Sequence, residues 1–495
     1  MQPDSLWLAL LYPKFYNSDF LSVLLEYWNY RLLLTDWRLP LHKGSSMWAS
    51  LHERRLRLLI RSLLIRENRN ASTRVLSSTL QLIFLTRRSS PPIIGFMAPC
   101  VRKADRVGHN NIDRISDLPV NVIECILCHL PIRDVVRTSI LSRKWRYIWF
   151  LVPQLEFGFD FFLDCHDRNI GNQVPGIITD ILLLHSGPVS KFTLKIPRDF
   201  SMEITCLYKW ILFLSKRGIE DLDLACYQDE SQKMSSHLFY CQGLKYLKLD
   251  CFKLSLPPDD FHSFKSLLDL QLLYVEFEFG ALERLISSCP ILDSLTIEHC
   301  YGSDCINISS PTLTVLCIEQ LHNIKSICLK NAKNLTYLTL KIEYASIIPQ
   351  LLLDSITSLK YLKLESVDFN EPEELLFMAA LLKSSPNLVE LVIRSYGGAV
   401  APLPNHQRAI DYYNSCCLSQ LQKVNITVGT ACEHALDLTR FLLANSPSLE
   451  ILTFEVWIGL EHYEKLLTIS QDLLGLGRAS PRAEVKFLYS GNTKK

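Results

Sequence analysis

The chain has 495 residues, 48% of them hydrophobic and 21% charged, with a formal net charge of +1. That size allows two or three domains, and that balance excludes a polyelectrolyte drawn globally to nucleic acid or to an anionic membrane surface. Sixteen cysteines are scattered through apolar surroundings such as Cys226, Cys251, Cys300, Cys317 and Cys328, a distribution of buried free thiols rather than of a secreted disulfide scaffold.

Residues 1–110 differ from the rest. They hold sixteen Lys/Arg against seven Asp/Glu, about +9, which leaves −8 for the remainder. Within them, residues 51–67 (LHERRLRLLIRSLLIRE) form a basic amphipathic stretch. No apolar run reaches the length of a membrane-spanning helix, and Asp4 stands where a signal peptide carries positive charge. Met97-Ala98-Pro99 begins a stretch that reads like a natural start. The expectation is a poorly ordered basic extension outside the functional fold, on a chain that works in the cytoplasm, the nucleus or both.

Residues 113–149 read DRISDLPVNVIECILCHLPIRDVVRTSILSRKWRYIW. Leu118-Pro119, with Asp117 upstream, opens a helix, because proline's missing N–H costs nothing in a first turn and an acid suits the helix dipole. Val122, Ile123, Ile126, Leu127 and Leu130 follow at helical spacing, and Pro131 is expected to end the helix. A second short helix carries Val135, Val136 and Ile140. A third, capped by Ser142, carries Trp145, Ile148 and Trp149. So short a unit cannot bury all this apolar surface against itself. Cys125 and Cys128 form a C-x-x-C without a second cysteine or histidine pair at zinc spacing, so no metal is expected.

In its wording the segment resembles an F-box, through DLP at 117–119, ILxxLP at 126–131, VVRTSILS at 135–142 and RKWRYIW at 143–149. The RTSxLSxxWRxxW wording is that of plant F-box proteins. The resemblance implies docking to the Skp-family adaptor of a cullin-RING ubiquitin ligase. The adaptor-facing residues it implies are Leu118, Pro119, Ile123, Ile126, Leu127, Leu130, Pro131, Val135, Leu141 and Trp145. Some of these must pack the module's own core, and sequence does not separate the two sets.

Beyond the F-box, apolar-x-x-apolar-x-apolar recurs eleven times, from Val189/Phe192/Leu194 through Leu292/Leu295/Ile297 to Leu449/Leu452/Phe454, with starts 21–33 residues apart. That is a stretched leucine-rich-repeat period. Several copies are introduced by Ser-Pro or Cys-Pro, as at Cys289-Pro290, Ser310-Pro311, Ser385-Pro386 and Ser446-Pro447. Proline there stops a preceding helix and hands the chain to a strand. The reading is a solenoid of short parallel strands, with helices on its outer side at 281–288, 373–385 and 436–446. It should be irregular. The position that holds Asn or Cys in regular repeats is here Phe252, Val275, Cys300, Leu321, Glu343, Val367 and Tyr396, and an extra copy at Ile324/Ile327/Leu329 falls at half the period.

The C-terminal words FLLANSPxLExL (441–452) and RASPxxEVxF (478–487) resemble the FBD region of plant F-box/leucine-rich-repeat proteins. The expected class is therefore α/β. Residues 1–110 form the extension, 111–155 a three-helix F-box, 156–404 an irregular solenoid, 405–489 an FBD region that caps it near Val485-Phe487, and 490–495 a tail.

No Gly-rich phosphate loop, H-E-x-x-H or G-x-S-x-G is present, and His237 and His262 lack partners at useful spacing. The expectation is a protein with no cofactor and no catalysis of its own, serving as receptor in an SCF-type ligase. Strand positions between the inward leucines should face the concave side and meet a target protein: Lys248, Asp250, Gln271, Glu298, Glu319, Lys341, Lys363, Glu365 and Arg394, with Asp223, Asn425 and Glu455 at equivalent places. Their signs are mixed, which points to a protein ligand rather than nucleic acid. The competing reading is a leucine-rich-repeat scaffold that enters no ligase.

Overall fold

The computed structural model describes residues 118–140, 145–167, 170–200, 202–308, 310–320, 324–341, 350–352, 356–369, 371–395, 418–429, 433–457 and 463–489. The basic extension, Leu141, Ser142, Leu321, Glu343, Tyr396, the start of the FBD region and the tail lie outside the described residues. The chain divides into two compact units between Ile148 and Trp149.

The first unit holds α1 (Val120–Leu127), α2 (Ile132–Arg137) and α3 (Trp145–Ile148), with a 3-10 turn over Thr138–Ile140. Pro119 stands at the N-cap of α1, where its carbonyl accepts from the Val122 and Ile123 amides at 3.0 and 3.1 Å. Pro131 does not end α1, which has already closed at Leu127. It caps α2, accepting from Asp134 at 2.8 Å and Val135 at 3.0 Å. Both prolines use the same physics, a missing N–H where the helix start has no acceptor for one. α1 turns Ile123 and Leu127 inward, and α3 packs on α1 and on the 3-10 turn. Trp149 belongs not to the third helix but to a 3-10 turn, Trp149–Leu151, that begins the second unit.

The second unit opens with β1 (Gln154–Phe157), α4 (Phe159–Asp167), α5 (Val174–Leu184), β2 (Lys191–Ile196), α6 (Ile204–Ser215) and β3 (Asp221–Cys226). There follow β4 (Gln232–Lys233), β5 (Tyr246–Asp250), β6 (Phe252–Leu254), β7 (Asp269–Leu273), β8 (Glu276–Phe277), α7 (Ala281–Ser287), β9 (Ser294–Glu298) and β10 (Cys305–Asn307). Next come β11 (Val315–Glu319), β12 (Ser326–Cys328), β13 (Tyr337–Lys341), β14 (Gln350–Leu352), β15 (Tyr361–Glu365), α8 (Pro372–Ser384) and β16 (Glu390–Ser395). The unit ends with β17 (Lys423–Val428), α9 (Glu433–Asn445), β18 (Ile451–Val456), α10 (Tyr463–Gly475) and β19 (Glu484–Tyr489).

Thirteen of these strands make one sheet in the order β1-β2-β3-β5-β7-β9-β11-β13-β15-β16-β17-β18-β19, and every pairing is parallel. All eleven sequence repeats lie in it. β1 and the terminal β19 complete it, and β1 straddles the expected boundary between the F-box and the solenoid at 155/156. Register carries Leu247, Leu270, Leu295, Leu316, Leu338 and Leu362 into one continuous buried row, since a period of two places each at the same pleat. Each such leucine contributes about 2 kcal/mol of burial, but only with a neighbouring repeat in place.

The Ser-Pro and Cys-Pro words are tight turns. The Leu292, Leu388 and Leu449 amides donate to the Cys289, Ser385 and Ser446 carbonyls at 3.3, 3.2 and 3.2 Å. Proline occupies the second turn position, where its fixed φ suits the bend. Ser480 adds a buried hydroxyl bond to the Leu449 carbonyl at 2.6 Å, linking one repeat to the next.

The half-period copy is not a strand of the main sheet. β12 pairs instead with β10 and β14 in a second, three-stranded sheet, and β4, β6 and β8 form a third. The turns toward these sheets use left-handed residues that are not glycine: Cys251, Tyr274, His299, Gln320 and Ser366, with φ between 50° and 62°. The Cys251, Tyr274, His299 and Gln320 amides donate to the Leu273, Glu298, Glu319 and Lys341 carbonyls at 2.7–3.0 Å. This column of backbone bonds does the stitching that side-chain asparagines do in regular repeats.

Helix α8 carries a titrating group. Glu374 lies beside a small pocket with Leu340, Leu364, Val367, Phe377 and Met378, and it accepts the Asp368 amide at 2.6 Å. Burial raises its carboxyl to about 7, with the like charges of Asp368 and Glu371 adding to the shift. The folded state therefore holds this proton more tightly than the unfolded one. The group's stabilising contribution is present at pH 4.5 and is lost as pH rises through about 7. Thermal melts at pH 5.5 and 8 should show a fall with rising pH that is smaller in Glu374→Gln, which keeps the acceptor; equal falls would contradict it.

Candidate functional site

Two surfaces are candidates, one in each unit. In the first, the sequence-marked residues separate into two sets. Ile123, Leu127, Leu130, Val135 and Trp145 are buried, out of reach of a partner in this conformation. Pro119 and Pro131 are exposed, and Leu118 and Ile126 half-buried. Val120, at 44% exposure, joins the exposed set although sequence did not mark it. The helical period explains the split: 123 and 127 share one face of α1, while 122 and 126 sit on its shoulder. The C-x-x-C closes this helix, with Cys125 inside it and Cys128 at its C-cap, and burial, then the neighbouring Cys125 and Glu124, raise the Cys128 thiol.

The second surface is the open face of the thirteen-stranded sheet. Lys248, Gln271 and Lys363 stand in its middle row with Asp223 and Asn425. Glu298, Glu319, Lys341, Glu365 and Arg394 stand in the row beyond, with Glu455 further along. Asp250 belongs to that row by register, but it is not a contact residue. It is 5% exposed and accepts the Tyr227 hydroxyl at 2.6 Å and the Cys251 thiol at 3.3 Å. Burial first, and this bond to Asp250 next, push the Tyr227 hydroxyl well above the ordinary tyrosine range. The left-handed turn at Cys251 folds the thiol back over the carboxylate, which strand alternation alone does not reveal.

Charges at both flanks are neutralised internally. Lys191 meets Asp221 and Lys195 meets Asp223, each at 3.1 Å. At the other flank Glu365 takes Lys363 at 2.5 Å and Arg394 at 3.0 Å. Between them lie two aromatic stacks that sequence reasoning passed over. Tyr274 and His299 are 4.5 Å apart at 5°, and Tyr337 and Tyr361 4.2 Å apart at 3°. The second pair could have been found by aligning strand starts. The first stands one residue past its strands, at the left-handed turns, and had no visible register.

Comparisons with known proteins match segments in both units. An F-box domain model matches residues 115–154, and a model described as FBD-associated F-box protein At5g56370, LRR repeats, matches 207–351. F-box/FBD/LRR-repeat protein At1g13570 of Arabidopsis thaliana is 32% identical over 424 residues, covering 76% of this chain and 98% of that protein. F-box/LRR-repeat protein At1g06630 of Arabidopsis thaliana is 28% identical, covering 69% of this chain and 85% of its own length. The solved structure of Leptospira interrogans LRR protein LIC12759 aligns over 63% of this chain and 87% of that one at 16% identity, with a TM-score of 0.26. With its F-box, its leucine-rich repeats and a relative matched over nearly its whole length, the chain belongs to the plant F-box/FBD/LRR-repeat protein family.

Proposed function

We propose that the chain is the substrate-recognition subunit of an SCF-type E3 ubiquitin ligase. The F-box docks to a Skp-family adaptor, and through it to a cullin-RING core. The open face of the solenoid holds a target protein for ubiquitination. One observation carries the reading: an F-box whose first helix keeps Pro119 and Val120 exposed while its core is filled by Ile123 and Leu127. Such an apolar rim on a closed core is a surface prepared for a partner. The rim proposed to touch the adaptor is Leu118, Pro119, Val120, Ile126 and Pro131. Ile123, Leu127, Leu130, Val135 and Trp145 act by holding its shape.

The chain contributes no chemistry in this reading. It raises the effective concentration of the target beside the charged enzyme carried by other subunits. The place of work is that of the ligase core, the cytoplasm or the nucleus. No helix among the described residues is long and apolar enough to cross a membrane.

Co-purification with a Skp-family adaptor tests the docking. The wild-type chain should retain it, and Leu118→Ala with Pro119→Ala should lose it while the solenoid's melting temperature stays unchanged. Undiminished retention by the double variant would refute the assigned rim. A wild-type chain that holds no adaptor would leave only the scaffold reading.

A further inference from the structure

The centre of the open sheet face, unlike its flanks, carries acid that no lysine or arginine among the described residues pairs with. From β5 to β13 its outward rows hold four carboxylates, Asp250, Asp269, Glu298 and Glu319, against two lysines, Lys248 and Lys341. Asp250 is buried under Tyr227, and Asp269 is held by Gln271 at 3.2 Å. Glu298 and Glu319 remain. They face one another in register on adjacent strands, an arrangement that costs stability where the charges are alike.

Neither glutamate has a lysine or arginine within ion-pair distance among the described residues. Glu298 has only His299, at 3.8 Å, and Glu319 only the Cys317 thiol, at 3.5 Å. Lys341 is in register with Glu319, but no ion pair within 4.0 Å joins the two. Beside the pair stands the Tyr274/His299 stack, whose tyrosine is 45% exposed. A flat aromatic face next to two unsatisfied carboxylates fits a planar cation, which can stack on the ring while its N–H groups reach the acids.

We propose that this strip of the sheet face is the docking site for an arginine-bearing basic segment of the target protein, with Glu298 and Glu319 receiving its guanidinium groups and Tyr274 stacking on one of them. This rests on the reading of the solenoid as the target-binding part. The like-charge pair then has a purpose, since it is relieved only when the segment binds. The four carboxylates against two lysines disfavour phosphorylated and acidic segments.

The test uses the full chain and fluorescein-labelled synthetic peptides of alternating arginine and serine, read by fluorescence anisotropy. Peptides with lysine or glutamate in place of arginine serve as comparisons. The arginine peptide should bind, the lysine peptide should bind more weakly, and the glutamate peptide should not bind. Glu298→Gln with Glu319→Gln should weaken arginine-peptide binding about tenfold and melt no lower than wild type. Tyr274→Ala should weaken it about threefold. Thr296→Arg, which sets a competing cation beside the pair while leaving both acids in place, should weaken it about tenfold as well. Equal affinity for arginine and glutamate peptides, or unchanged binding in both the glutamine and the Thr296→Arg variants, would overturn the proposal. Adaptor retention measured on the same samples reads the ligase assignment separately, so failure of one leaves the other standing.

Discussion

Gly302→Ala should destabilise the solenoid by about 3 kcal/mol, combining strain at a backbone dihedral and overpacking. Gly302 has φ +94°, and a Cβ there would lie 2.2 Å from the Phe277 carbonyl oxygen and 3.1 Å from that residue's carbonyl carbon and amide nitrogen. The obstacle is backbone, so no rotamer change relieves it. The same spot carries the bonds from the Phe277 amide to the Tyr301 carbonyl, 2.9 Å, and from the Tyr301 amide to the Val275 carbonyl, 3.1 Å. Moving the chain to admit a methyl group breaks the junction of β8 with the next repeat. Gly218 supplies the comparison. It also has positive φ, +74°, but a Cβ there meets nothing within 4 Å. Gly218→Ala should therefore cost only about 1 kcal/mol, from the dihedral alone. Urea titrations of the two variants should differ clearly, and equal costs would show that crowding at Gly302 is not the cause.

Phe264→Ala should have a comparable effect, a loss of about 4 kcal/mol. Phe264 is fully buried, with its ring centroid 4.9 Å from that of Phe261 and 6.0 Å from that of Phe239. The three rings fill the turns that lead into β7, and the Phe264 amide donates to the Ser288 carbonyl at 2.9 Å, tying them to the end of α7. Because each repeat leans mainly on its neighbours, the loss should be local. Hydrogen exchange should accelerate in β5 and β7 and stay slow in β17 and β18. Uniform acceleration along the sheet would show that the solenoid unfolds as one unit.

The sheet face was legible in part. Lys248, Gln271, Glu298 and Lys363 could be placed on it because strand alternation is local, and four or five residues of pattern decide which side a residue takes. Asp250 obeys the same alternation but ends up covered, since its cover comes from Tyr227, a residue 23 positions away. The helix interiors at Ala281–Ser287 and Pro372–Ser384 were legible for the same local reason. The pairing of β12 with β10 and β14 was not, because a three-residue strand carries too little periodicity to name its sheet.

The sequence alone determined the F-box wording, the repeat and hence the α/β solenoid, because a buried row recurring every 21–33 residues has few other ways to close its core. Tertiary structure decided what those rows expose. It turned Ile123 and Leu127 inward and Pro119 outward, seated Lys363 and Arg394 on Glu365, and left Glu298 opposite Glu319 with no arginine or lysine among the described residues paired to either. The outcomes on the sheet depend on which residues meet across strands some 20 or more positions apart, a register set by the whole stack rather than by any stretch of chain within it.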